Sequence, residues 1–188
     1  MNQTFIHAIL IVVISHFIVA PCCGQQNSHA QQFQLLHYGE PNPDPNVGRI
    51  LDFVGQRWGI EFTRVAGCNV STELVDSVKM HNDKIETLIA EKYGKDWNSK
   101  FDEQLKMETE NAKLVTLLID DTDFIKEWKD KMQKDSTYIH YDLFPIPNST
   151  KYNASIKGLS VKRKENKVYF NLVIDYRNNS VTIEYENQ

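Results

Sequence analysis

The chain has 188 residues, with 21 Lys and Arg against 25 Asp and Glu for a net charge of −4. That length allows one ordinary domain with a real core, and the mild acidity argues against nucleic acid or an anionic membrane surface as partner. With three cysteines a disulfide-stapled scaffold is excluded, so packing must stabilise the fold, and nine Phe, eight Tyr and three Trp are the means.

The N-terminal run "FIHAILIVVISHFIVA" (5–20) is built like a secretory signal peptide, too short and interrupted for a membrane span of ~20 apolar residues, although "MNQT" before it has no Lys or Arg. Cys22 and Gly24 supply the small side chains that signal peptidase needs for a cut before Gln25. A signal peptide over 1–24 is therefore expected, with a secreted or periplasmic product. Lipidation at Cys22 and retention of the leader as an anchor are the alternatives; without one of them no membrane contact is expected. Cleavage leaves Cys68 as the one thiol.

Residues 25–43, rich in Gln, read as a flexible lead-in, and residues 44–188 as a single α+β domain. "PNPDPN" (41–46) ends the lead-in and offers Asp44 as an N-cap with Pro45 at the first helical position. The helix that follows places Val47, Ile50, Leu51, Val54 and Trp58 on one face and stops at Gly59. Its glycines, Gly48 and Gly55, weaken it or admit another backbone.

"IEFTRVA" (60–66) reads as a short strand. Ser71 caps a helix whose apolar stripe is Leu74, Val78, Ile85, Leu88 and Ile89, with His81 inside it, ending at Gly94. A second long helix after Asp96 carries Trp97, Phe101, Leu105, Ala112, Val115 and Leu118. The acidic "DDTD" (120–123) interrupts it before a shorter helix with Phe124, Ile125, Trp128 and Met132.

From Thr137 the period changes to two. "TYIHYDLF", "NASIKGLSVKR", "KVYFNLVIDY" and "SVTIEYE" predict a four-stranded antiparallel meander, covered by a layer of three to four helices. A two-residue turn at Asn178-Asn179 pairs Tyr176 with Val181, Ile174 with Ile183 and Leu172 with Tyr185, leaving Val173, Asp175, Thr182 and Glu184 outward. A turn at Glu165-Asn166 pairs Val161 with Phe170 and Leu159 with Leu172.

Few residues stand out for chemistry. Cys68 with His81 or His140 is the one thiol-and-base set, yet "VAGCNVS" matches no thiol-enzyme signature, and a free cysteine is more often a small buried hydrophobe. His81 reads as a packed, hydrogen-bonded residue and His140 as a surface or cross-strand one; His29 and His37 lie in the lead-in. No ligand spacing for zinc is present, and "DDTD" lacks the spacing of a calcium loop, so no metal or cofactor is expected. Glu40, Glu61 and the helical acids hold no identifiable glycosidase pair. The basic "VKRKENK" (161–167), at an expected hairpin tip, reads equally well as a contact for an acidic partner or polysaccharide and as a solvated turn that discourages edge pairing. Asn69, Asn148, Asn153 and Asn178 begin N-x-S/T sequons and are the candidate glycosylation sites.

The architecture, and only that, is similar to cystatin-like binding folds, since the Q-x-V-x-G loop of cystatins is absent. The expectation is a non-catalytic binding or interaction domain, inhibitor-like in kind, for a protein or small ligand. The alternative is a small secreted hydrolase using Cys68 with histidine, or a carboxylate pair.

Overall fold

The computed structural model describes residues 32–134, 137–160 and 165–186. The leader, including Cys22 and the cut before Gln25, lies outside them. The chain begins with a strand in the segment expected to be a flexible lead-in. Strand β1 (Phe33–Tyr38) buries Phe33 and Leu35 and pairs in parallel with β2 (Ile60–Ala66), from Phe33 opposite Ile60 to His37 opposite Arg64. Its three apolar residues are too few to announce themselves among glutamines, and their partner strand is remote in sequence.

Helix α1 (Pro45–Trp58) joins these strands as a βαβ crossover. The Asp44 carboxylate accepts the Asn46 amide at 2.9 Å, Pro45 opens the helix, and Gly59 closes it at φ 65°. Gly55 is the close approach that its lack of a side chain permits: a Cβ there would lie 2.6 Å from the Ile60 carbonyl oxygen. The buried face is Ile50, Phe53, Val54, Gly55 and Trp58, so Phe53 replaces the expected Val47, which is exposed.

Helix α2 (Thr72–Tyr93) starts at the Ser71 cap, whose Oγ accepts the Leu74 amide, and ends at Gly94. Only Val78 and Ile89 of its stripe are fully buried, and Leu88 is exposed, because α2 packs on the outer edge of β1. Asn82 meets the backbone there: its Oδ1 accepts the Leu36 amide at 2.9 Å and its Nδ2 donates to the Leu36 carbonyl at 2.8 Å.

Helix α3 (Trp97–Asp121) breaks at Thr122, whose carbonyl accepts the amides of Ile125 and Lys126 at the start of α4 (Asp123–Lys134). The antiparallel meander then follows in sheet order β3 (Thr137–Pro145), β4 (Lys151–Ser160), β5 (Glu165–Asp175) and β6 (Ser180–Glu186). Four helices largely precede this sheet, and the fold is α+β as expected. One core joins β3, β4 and β5 to α3 and α4 through Val115, Ile119, Ile125, Ile156, Leu172 and Ile174; another joins β1, β2, α1 and α2 to Trp97 and Phe101. Leu105 packs against both.

The hairpin registers differ from expectation. Between β5 and β6 the loop is four residues long, so Ile174 pairs with Val181 and Leu172 with Ile183. The cause is Asp175, expected outward but 7% exposed. Its Oδ1 accepts the amides of Arg177 and Asn178 and the Thr150 hydroxyl, and its Oδ2 accepts Nδ2 of Asn178. These bonds hold residues 176–179 as a loop, with Asn179 at φ 49°. The slip is two residues, so the shared face survives. A bulge after Leu172 then sets Tyr185 opposite Asn171.

At Glu165-Asn166 the expected turn is strand: Glu165 pairs with Ser160 and Asn166 with Leu159. Phe170 pairs with Ile156 and Leu172 with Ala154, while Val161 lies outside the described residues. A bulge between Ile156 and Lys157 separates these two stretches, and an alternation count cannot see it.

Candidate functional site

Cys68 is exposed, in the loop between β2 and α2, contrary to the buried thiol expected. Among the described residues no hydrogen bond joins it to a histidine. The ring Nε2 of His81 lies 2.9 Å from the Gln34 carbonyl, an acceptor only, so this nitrogen carries the proton and donates. That anchors His81 near the middle of β1. Ala66, the residue two before Cys68, pairs with Tyr38, about 13 Å along the strand from Gln34 at ~3.3 Å per residue. His140 belongs to the other sheet, half-buried in β3 opposite Lys157.

The buried carboxylates are each engaged by neighbours, in separate clusters. Glu108, 6% exposed, receives Arg57 at 2.8 Å, the Tyr152 hydroxyl and Nδ2 of Asn111, tying α1, α3 and β4 together. Asp142, 4% exposed, receives Arg49 at 2.8 Å and Lys157. Burial raises its pKa, but these two cations outweigh burial and hold the carboxyl below the usual range. Asp175 holds the loop already described; the Thr150 hydroxyl and the loop amides lower its pKa. Glu61 accepts Nε2 of Gln32 at the surface.

The acidic run 120–123 is likewise paired. Asp120 accepts the Tyr141 hydroxyl and Lys129 Nζ, each at 2.5 Å; burial and then that carboxylate push the tyrosine pKa upward. Asp121 and Asp123 both face Lys126, at 2.7 and 3.7 Å. Among the described residues no group of three or more His, Cys, Asp or Glu could hold a metal ion. Most of the basic tip 161–167 lies outside the described residues; Lys167 Nζ sits 5.3 Å from the Tyr169 ring centre. Asn69, Asn148, Asn153 and Asn178 are all exposed, with the Asn178 amide bound to Asp175.

What remains open is an apolar groove. The C-terminal half of α3 and the β5–β6 loop enclose about 580 Å³ between Leu114, Leu117, Leu118, Tyr176 and Asn179, with Asp120 and Asp121 at its side. Leu114 is 49% and Leu117 63% exposed, and Ile183 on β6 is 42% exposed. Ile183 and Val181 share the face of their partners Leu172 and Ile174, which are fully buried in the core with α3. The margin of the helix-covered sheet face therefore continues past its cover. A second groove of about 540 Å³, by the start of α1, has Pro45, Val47, Leu51 and Phe62 in its lining and His37, Glu40, Asp44, Asp52 and Arg64 around them, so charged side chains surround its apolar part. Sequence reasoning missed Leu114 and Leu117. "LVTLL" (114–118) holds more leucines than the stripe through Val115 and Leu118 requires, and that surplus was the available signal.

No family model, curated protein or solved structure gives a significant match to this chain.

Proposed function

We propose that the protein is an exported, non-catalytic binding domain whose contact surface is the groove between α3 and the β5–β6 loop. The observation that carries this reading is the exposure of Leu114 and Leu117 beside Tyr176. Isolated exposed leucines need no explanation, but several around one concavity mark a contact surface. The buried carboxylates are engaged in ion pairs and hydrogen bonds that tie elements together, which favours binding over hydrolysis. Export rests on the leader, and the sequons at Asn69, Asn148 and Asn153 present free surface for glycans where the host adds them.

The test is a titration of the exported protein with Nile red, a neutral apolar dye that brightens when desolvated. Wild type should bind it saturably, Leu117→Glu should lose at least tenfold in affinity, and Cys68→Ala should leave binding unchanged. Equal binding by wild type and Leu117→Glu would move the contact surface elsewhere. Hydrolysis of an ester, peptide or glycoside by wild type, lost in Cys68→Ala, would replace the binding reading with an enzymatic one.

A further inference from the structure

The strand edges of this fold are treated unequally. A strand edge carries unpaired amides and carbonyls that recruit another strand unless something covers them. On β1 the Asn82 amide group takes both Leu36 backbone groups and His81 takes the Gln34 carbonyl. On β3 the Asn46 side chain does the same work: its Nδ2 donates to the Tyr141 carbonyl and its Oδ1 accepts the Leu143 amide, each at 2.8 Å. Two asparagines from two different helices thus close two edges. At the outer edge of β6 no such plug occurs among the described residues. The other unplugged strand, β2, carries an exposed charge on each face, Glu61 and Arg64, which discourages pairing. On its helix side β6 presents only Val181 and Ile183 over Ser180–Glu184.

We propose that β6 pairs antiparallel with β6 of a second copy of this chain, centred on Ile183. This rests on the groove reading and names its partner. The strand is self-complementary in that register: Ile183 meets Ile183, Glu184 meets Thr182, and Glu186 meets Ser180, so no carboxylate opposes another. Directly opposed residues share a face, so the two Ile183 side chains cover each other on the helix side. Helix α3 touches β6 on that side, and its exposed Leu114 and Leu117 lie by Tyr176 and Asn179 of the loop that leads into the strand, which puts them at the margin of the new strand pair. The symmetry is twofold and closed, giving a dimer and not a filament.

The test is sedimentation equilibrium of the exported protein across a dilution series, combined with disulfide trapping in a Cys68→Ser background. The mass should double with concentration, and Ile183→Lys and Leu117→Glu should each weaken association at least tenfold, with urea melts confirming that both remain folded. Ile183→Cys should form a 183–183 cross-link, located by peptide mass spectrometry. Ser180→Cys should not, because in this register the two 180 positions lie about 20 Å apart. A monomer at every concentration, or a dimer linked through position 180, overturns the proposal. A monomer that still binds Nile red in a Leu117-dependent way leaves the groove reading intact, whereas a monomer without such binding removes both.

Discussion

Cys68 and Asp142 show how far a residue's chemistry depends on where the fold puts it. A free cysteine is more often a small buried hydrophobe, yet this thiol lies exposed before α2. It should react with an aromatic disulfide reagent in native buffer nearly as fast as in urea, and Cys68→Ser should change stability by no more than about 0.5 kcal/mol. Slow native labelling would place it inside. Asp142 is an unremarkable letter in "YDLF", but it is buried between Arg49 and Lys157. Its folded pKa is depressed, so its contribution is present above the unfolded value near ~3.9 and is lost as pH falls through the folded one. Asp142→Asn should cost about 3 kcal/mol at pH 7, the low end for a broken buried pair because both cations still reach water. The deficit should shrink in urea melts at pH 3; an equal deficit at both pH values would show that charge is not the cause.

At the scale of elements, the two glycines of α1 make opposite predictions from one helix. Nothing lies within 4 Å of a Cβ at Gly48, so Gly48→Ala should stabilise by about 0.5–1 kcal/mol, through helix propensity and a less free unfolded chain. At Gly55 the same change drives a methyl against the Ile60 carbonyl and should cost about 1–3 kcal/mol. Thermal melts of the pair check both signs, and equal shifts would mean that β2 does not cross α1 there. In the sheet, Ile174→Ala should cost about 2–5 kcal/mol and the exposed Thr182→Ala less than about 0.5 kcal/mol. Comparable losses would mean that the faces of β5 and β6 are exchanged. Helix limits were legible because Asp44, Gly59, Ser71 and Gly94 act on neighbours a few residues away. Register was not, because Asp175 binds Thr150, a residue of another loop, and no count along one hairpin includes it.

For the molecule as a whole, the order of helices before meander was readable from the change of period at Thr137, since periodicity is a property of each segment alone. Strand β1 was missed for the converse reason: Phe33 finds Ile60 only after α1 has turned the chain back. The candidate surface was equally hidden. A stripe identifies which face of α3 packs, but which neighbouring leucines stay bare depends on where β6 ends the sheet. Helix α3 runs through both cores, Trp97 and Phe101 in one and Val115 and Ile119 in the other, so its exposed margin is carried on an element anchored at both ends. That the margin is where this molecule meets its partner is tested most directly by amide hydrogen exchange over a protein dilution series. The amides of β6 should exchange more slowly as concentration rises, while those of β4, already paired on both sides, stay constant. Exchange in β6 that is the same at every concentration would contradict it.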